Sequence, residues 1–266
     1  MTVSSYSLPS RPPRRAQAGF TLTELAVVVV VIALLLGGLL MTLEAQNTAR
    51  TTAETRQTLQ NAHDAIIGFA VRYGRLPCPA TAFSNGVESP AAPPAPPAAN
   101  PCTVTKGFVP AATLGIGPTD RWGYLIDAWG QRVRYAVSKV DSDAFTTAGK
   151  LREKAFNVTG TTWLKVCSST GASAVLTTTA CPAPPVTSFD TPAVIFSTGK
   201  NGASGVPASQ DEAENLDEFF VGTDNDRVFV AHELTTADAL SGAFDDVVTW
   251  ISPNVLYHRM ISAGAL

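Results

Sequence analysis

One uninterrupted apolar run, Leu25–Leu43, limits what this chain can fold into more than any other feature. It contains no charged residue and a single hydroxyl, that of Thr42. As a helix, about 19 residues rising about 1.5 Å each span about 28 Å, close to the hydrocarbon thickness of a bilayer. Glu24 stands at the edge of this run. Because a carboxylate at membrane depth is costly unless it is paired, we expect Glu24 to be functional.

The residues before the apolar run are polar and basic. Residues 1–19 include Arg11, Arg14 and Arg15 and no acid. A secretory signal peptide would place its small-residue cleavage site after the apolar segment, but here the small residue Gly19 comes before it. We therefore expect the apolar segment to remain on the mature protein, with the basic leader in the cytoplasm and the rest of the chain outside.

The segment Gly19–Leu25 reads Gly-Phe-Thr-Leu-Thr-Glu-Leu and leads directly into the apolar run. It resembles the class III signal of type IV prepilins and type II secretion pseudopilins. In that family a prepilin peptidase and methyltransferase cuts after the glycine and methylates the new N-terminal phenylalanine. The resemblance implies a cut between Gly19 and Phe20, with N-methylation of Phe20, and it makes Glu24 the family's glutamate. The alternative is a signal anchor that happens to carry a glutamate.

The resemblance gives Glu24 a physical role in assembly. Cleavage would create an ammonium group on Phe20, and in a filament this group and the Glu24 carboxylate would both be buried among apolar helices. Each charge alone costs several kcal/mol in such surroundings, whereas the two charges offset each other when they pair. We expect Glu24 of one subunit to meet the Phe20 amine of a neighbour and to fix the axial register.

The helical pattern continues beyond the apolar run and becomes amphipathic. Apolar residues recur at spacings of three and four up to Tyr73, and Gly74 and Pro77 then end the pattern. The apolar stripe consists of Leu59, Ala62, Ile66, Phe69 and Tyr73. The predicted organisation is a cleaved leader at residues 1–19, a long helix at residues 20–73 with its membrane span at about 25–43, and a periplasmic body at residues 74–266.

The predicted fold class is α+β and pilin-like, with an antiparallel sheet and long loops packed on the second half of the long helix. Strand patterns occur at Trp122–Leu125, Arg132–Val140, Thr161–Val166, Ala193–Phe196 and Arg227–Ala231, with Val175–Thr179 as a hairpin partner of the third. Residues 89–101 are dominated by Pro and Ala, which favours a polyproline-like or disordered loop.

The four cysteines are Cys78, Cys102, Cys167 and Cys181. They form no C-x-x-C pair and have no nearby histidine, so they do not match a zinc site. An even number of cysteines beyond a membrane segment indicates disulfides in an oxidising compartment. The pairing of the first with the second and of the third with the fourth is favoured because each closes a short loop. Sequence alone allows three pairings, and four free buried thiols are the alternative.

Charge and motif content limit the function. From Phe20 onward the chain has 16 basic side chains against 22 acidic ones. An acidic body without a basic stripe argues against nucleic-acid binding. The sequence has no G-x-S-x-G, H-E-x-x-H or Walker motif, and its histidines, His63, His232 and His258, are scattered. We therefore do not expect an enzyme.

Two segments of the body resemble major pseudopilins. Residues 127–135 match a D-x-W-G-x-x-x-x-Y turn, and Ala193–Phe196 leads into a glycine loop that precedes a calcium site in that family. The resemblance implies a calcium site formed by Asn201, Asp245 and Asp246, and no other cofactor. Residues 203–244, with an acidic run at 211–218, replace the short loop of the family. A solvated acidic loop, or Asp245 capping a helix, is the alternative.

These features predict a structural subunit, more suited to a minor than to a bulk role, of a type II secretion pseudopilus or a type IV pilus. Its partners would be the prepilin peptidase and methyltransferase, other pilin or pseudopilin subunits and the inner-membrane assembly platform. It would cross the bacterial inner membrane once, with a periplasmic body, before it joins the filament. The alternative is a signal-anchored periplasmic binding protein or enzyme that does not assemble.

Overall fold

The structure is a computed structural model that describes residues 21–90, 102–154, 157–171, 181, 188–217, 227–239 and 242–265; for residues 36–43, 188 and 217 it describes the backbone alone. The predicted leader, Gly19 and Phe20, most of the Pro-rich loop and the predicted strand Val175–Thr179 lie outside these residues.

The chain forms two compact units, Met1–Thr48 and Ala49–Leu266. Helix α1, Leu22–Tyr73, contributes to both and confirms the predicted long helix. The second unit begins within α1 rather than at residue 74, because the C-terminal half of the helix supplies part of its core. Leu59, Ala62 and Ile66 from the predicted stripe are fully buried there.

The second unit contains seven strands and five further helices in the described residues. The helices are α2 (Ala111–Leu114), α3 (Val140–Asp143), α4 (Lys150–Glu153), α5 (Gln210–Asp217) and α6 (Pro253–Ser262), with a 3₁₀ turn at Lys200–Ser204. The strands are β1 (Lys106–Phe108), β2 (Arg134–Val137), β3 (Leu164–Cys167), β4 (Ser188–Thr191), β5 (Ala193–Ser197), β6 (Val228–Val230) and β7 (Val247–Ile251).

The first sheet has the order β1-β2-β5-β7, and all its strand pairs are antiparallel. On one face, alternate side chains such as Tyr135, Ile195 and Ile251 join the core with α1 and α6. On the other face, Val194 and Phe196 pack against Leu164 and other side chains of the second sheet. The predicted α+β class, with a long helix packed on an antiparallel sheet, is confirmed by this core.

The second sheet has the order β4-β3-β6. Strand β4 pairs antiparallel with β3. The sequence predicted Val175–Thr179 as the hairpin partner of this strand, and those residues lie outside the described residues. Strand β6 runs parallel to β3, the one parallel pair among the described strands; the sheet that packs on α1 is antiparallel, as predicted. The parallel pairing is possible because the long segment between the two strands returns the chain to the same end of the sheet.

The prediction of a strand at Trp122–Leu125 was wrong. The side chain of Asp120 accepts hydrogen bonds from the amides of Trp122 and Tyr124, at 2.9 and 3.0 Å, and so closes a turn. Leu125 forms only an isolated bridge with Thr119. The strand predicted at 132–140 is shorter than expected, because β2 ends at Val137 and α3 begins at Val140.

The structure joins Cys78 to Cys102 and Cys167 to Cys181, the pairing that the sequence favours. The first bond joins two residues on either side of residues 91–101, which lie outside the described residues. The second connects the end of β3 to the chain segment before β4. The first bond therefore restrains the connection between α1 and β1, and the second fixes the last residue of β3 to the connection that leads to β4.

Candidate functional site

Three carboxylates meet between α5 and the start of β7. Each residue contributes one carboxylate oxygen, and the three oxygens lie within 4.8 Å of one another. The residues are Glu212, Asp245 and Asp246. Glu212 and Asp246 are 1% and 3% exposed, and Asp245 is half-buried. The two aspartates are those that the sequence predicted for calcium, whereas Glu212 belongs to the insertion and was read only as part of an acidic run.

Glu212 is fixed by three donors. Its Oε2 accepts hydrogen bonds from the amide of Ala208 at 2.6 Å and from the side-chain nitrogen of Asn201 at 2.7 Å. Its Oε1 accepts a bond from the backbone amide of Asp245 at 2.9 Å. The Glu212 carboxylate therefore ties the start of α5 to the 3₁₀ turn and to the segment that enters β7.

Asp245 lies against the loop that follows β5. The amide of Asn201 donates to Asp245 Oδ2 at 3.1 Å. A Cβ on Gly199 would fall on the carbonyl and carboxylate of Asp245, so only glycine permits this approach. Asn201, which the sequence predicted as a calcium ligand, lies beside the cluster and faces the carboxylates with its N–H groups rather than with an oxygen.

Asp246 is held from the opposite side. The side-chain nitrogen of Asn215 on α5 donates to Asp246 Oδ2 at 2.8 Å. The charge of Arg134 on β2 also favours the ionised carboxylate. Burial and the negative charges of Glu212 and Asp245 outweigh these contributions, so the pKa of Asp246 lies well above its ordinary value.

The ionised form of Asp245 is also destabilised by its surroundings. Burial and the charge of Glu212 raise the pKa of Asp245 to about 6. Its Oδ1 is buried and accepts no hydrogen bond from the described residues. Three crowded carboxylates with an unbonded buried oxygen fit a hard divalent cation, since calcium binds carboxylate oxygens and would offset their repulsion. Glu212, Asp245 and Asp246 would hold the ion.

A second polar cluster lies at the other side of the α5 N-terminus. Asp211 accepts hydrogen bonds from the Thr170 amide at 2.7 Å and from Thr170 Oγ1 at 2.8 Å, and it contacts His232 Nε2 at 3.1 Å. The other ring nitrogen of His232 contacts the Glu233 carbonyl at 2.7 Å. Since both ring nitrogens are engaged, this histidine is not placed as a general base.

The N-terminal site is built on the first turn of α1. The amide of Thr21 donates to Glu24 Oε2, and the amide of Glu24 donates to Thr21 Oγ1, both at 3.3 Å. This reciprocal pair is a capping box, in which the N-cap and N3 side chains satisfy amides that have no partner within the helix. Both residues are exposed.

The helix beyond Glu24 is covered by apolar side chains. Every large apolar side chain between Leu22 and Leu35 is at least 48% exposed. No helix in the described residues has both the length and the apolar character of a membrane span. Side chains of residues 36–43, within the predicted span, lie outside the described residues.

Residues 14–40 match the family model described as the prokaryotic N-terminal methylation motif. The N terminus is a prepilin-type signal. The match begins before Gly19, includes Glu24 and ends inside the apolar run. No curated protein and no solved structure shows significant similarity to the chain.

The match over residues 14–40 confirms the resemblance that the sequence predicts for the prepilin-type signal. It gives the Thr21–Glu24 pair its context, because Glu24 occupies the first turn of the helix that such a signal provides. The roles of Gly19, Phe20 and Glu24 in this chain remain predictions.

Sequence reasoning missed Glu212 as a member of the carboxylate cluster. The segment Ser209-Gln-Asp-Glu212 has the spacing of a capping box, and this signal would have placed Glu212 on the first turn of a helix.

Proposed function

We propose that this chain is a structural subunit, in a minor role, of a type II secretion pseudopilus or a related type IV pilus. The prepilin-type signal at residues 14–40 is the observation that carries the proposal. A prepilin peptidase cuts between Gly19 and Phe20 and methylates Phe20. The apolar helix anchors the chain in the inner membrane, with its body in the periplasm, and later packs against other subunits.

The exposed apolar surface of α1 supports this role. Side chains such as Leu34 and Leu35, at 73% and 63% exposed, need an apolar environment. Lipid supplies it before assembly, and the helices of other subunits supply it in the filament. Two disulfides in the second unit are consistent with an oxidising periplasm.

The long connections of the second unit favour a minor subunit. Residues 203–244 form an insertion that carries α5 and β6. Because each bulk subunit of a helical filament touches several copies of itself, large insertions crowd the lattice less at a tip or initiation position. The resemblance of residues 127–135 and of the Asp245-Asp246 segment to major pseudopilins favours the secretion branch.

Mass spectrometry of the mature N terminus tests the proposal. We expect a chain that begins at Phe20 and carries one added methyl group on its amine. An intact leader, or a cut after residue 43, would support a signal-anchored binding protein or enzyme instead. A deletion strain assayed for protein export and for twitching motility then separates the two filament systems.

The carboxylate cluster supports a second proposal, that the second unit binds calcium through Glu212, Asp245 and Asp246. Bound calcium would offset most of the negative charge of the cluster and join the insertion to β7. Isothermal titration calorimetry with calcium chloride on the chelator-treated protein tests this. We expect binding in the wild type and its loss in D245N, with T235A as a control because Thr235 lies in the insertion outside the cluster.

A further inference from the structure

Helix α5 is held by buried polar groups. It has eight residues, and four of them, Asp211, Glu212, Glu214 and Asn215, are at most 2% exposed. A surface helix of this acidic composition would be solvated on most sides. Here the polar side chains reach different parts of the second unit, so α5 connects elements that are distant in sequence.

Asn215 makes the most informative of these connections. Its Oδ1 accepts a hydrogen bond from the Val230 amide at 2.7 Å, and its nitrogen donates to the Val230 carbonyl at 3.1 Å. The same nitrogen donates to Asp246 Oδ2 at 2.8 Å. An amide side chain offers one acceptor oxygen and two N–H donors, so Asn215 uses both ends in these bonds.

Val230 lies on β6, the edge strand of the second sheet. The Asn215 amide therefore occupies the position that the backbone of another strand would take. An uncovered strand edge pairs readily with other chains, and covering it with a helix is one way in which proteins prevent this. The apolar sequence of β6, Val-Phe-Val, makes such protection valuable.

Asp211 binds the chain just beyond the same end of this sheet, because Val230 pairs with Cys167, the last residue of β3. It is 2% exposed and accepts two hydrogen bonds from Thr170, three residues after the end of β3. Its neighbour Glu212 belongs to the carboxylate cluster. Two adjacent side chains of α5 thus connect the second sheet and the candidate calcium site.

We propose that α5 is a cation-dependent clamp on the second sheet, in which Asn215 is the positioning residue that links Asp246 to the edge strand β6. The inference rests on the calcium site proposed above. Without a cation, the like charges of Glu212, Asp245 and Asp246 repel one another, so α5 is held less tightly against β7. With calcium bound, α5 is drawn against Asp246, and Asn215 is held in register with Val230.

Hydrogen-exchange mass spectrometry on the full-length protein in detergent tests the clamp. Exchange is compared in calcium chloride and in chelator, for peptides that contain Val228–Val230. In the wild type we expect calcium to slow exchange of these amides about tenfold, the effect of one hydrogen bond to a charged group. In N215A we expect calcium still to bind, because the carboxylates remain, but no longer to slow this exchange.

Two further variants make the result specific. E88Q weakens the buried Arg75–Glu88 ion pair, which lies outside the cluster, and should keep the calcium effect on β6. E212Q should lose the calcium effect and, in chelator, should exchange more slowly at β6 than the wild type, because one repelling charge is gone. It also serves as the test if N215A does not fold.

The outcomes separate the two proposals. Calcium binding without any slowing of β6 in the wild type, or equal slowing in N215A, would overturn the clamp and leave the calcium site standing. Absence of calcium binding in the wild type, measured by calorimetry on the same sample, would overturn both. Slowing at β6 that disappears only in N215A and E212Q supports the clamp.

Discussion

Thr21 and Glu24 exchange reciprocal hydrogen bonds at the start of α1, each backbone amide donating to the other residue's side chain at 3.3 Å. Glu24 is therefore occupied within its own subunit before any neighbour is present. In the proposed assembly, its carboxylate would have to serve both the helix terminus and the amine of Phe20. Since a carboxylate can accept several hydrogen bonds, the two roles are compatible.

T21A tests the contribution of this capping box. Removing the N-cap hydroxyl costs about 1 kcal/mol of helix stability, so exchange of the Glu24 amide should speed up about fivefold. The measurement is hydrogen exchange by NMR on the mature protein in detergent micelles. T21S keeps the hydroxyl and should exchange like the wild type. Equal acceleration in both variants would show that the hydroxyl does not cap the helix.

The buried turn that follows residue 126 gives a second prediction. Asp127 is 3% exposed and accepts hydrogen bonds from the amides of Trp129 and Gln131, at 2.9 and 2.7 Å, and from the hydroxyl of Ser197. D127A leaves these donors unpaired in the core and should lower the free energy of unfolding by roughly 2–4 kcal/mol. Denaturant unfolding of the full-length protein in detergent measures it.

D120A is the matched control for D127A. Asp120 also closes a turn by accepting two backbone amides, but its carboxylate is partly exposed and Trp122 is 47% exposed, so water can reach the Trp122 amide when the carboxylate is removed. The expected loss is about 1 kcal/mol. Similar losses in the two variants would mean that the burial of Asp127 adds nothing to its effect.

These contacts show which parts of the fold the sequence could predict. The stripe on α1 and strand β5 have strong apolar periodicity, and the turn at Asp127 has a local motif, so each was found. Helix α5 was not found, because its sequence, Gln-Asp-Glu-Ala-Glu-Asn-Leu-Asp, has almost no apolar pattern. Its stability comes from hydrogen bonds to loops that only the tertiary fold brings near.

The candidate site shows the same division. Asp245 and Asp246 precede a strand with a recognisable pattern and were predicted. Glu212 lies 33 residues away from Asp245 in sequence, and no local signal connects the two. An acidic run in a polar insertion is solvated in most proteins, so its burial here could not be read without the contacts of α5.

His232 predicts a pH dependence of stability. Burial of His232 opposes its protonation, but hydrogen bonds to Asp211 and to the Glu233 carbonyl outweigh it and raise the pKa of the imidazole above its ordinary value, about 6.5. The ring also stacks on Phe244, with 3.9 Å between ring centroids. The stabilisation is complete below about pH 6.5 and is lost as pH rises through the raised pKa.

The test compares the Tm of the wild type and of H232Q between pH 5 and 8, both in chelator. The difference should be largest at low pH and should shrink as the pH rises above about 6.5. T235A, which changes a side chain that does not titrate, should give a difference from the wild type that does not vary with pH in this way. A constant difference for H232Q would contradict the assignment.

Gly199 gives the last prediction, because its backbone and its surroundings both require glycine. Its φ and ψ of 62° and −157° lie in a region that side chains other than glycine's disfavour, and an added Cβ would fall on the Asp245 carboxylate. G199A should therefore cost about 3 kcal/mol of folding stability or more and should weaken calcium binding through displacement of Asp245.

G205A is the control for G199A. It also places alanine at a positive φ, 64°, but its Cβ would meet nothing within 4 Å. It should therefore cost only about 1–2 kcal/mol and leave calcium binding unchanged. Denaturant unfolding and calcium calorimetry on both variants measure the two effects. Equal losses would show that backbone strain alone, rather than the contact with Asp245, makes glycine necessary at this position.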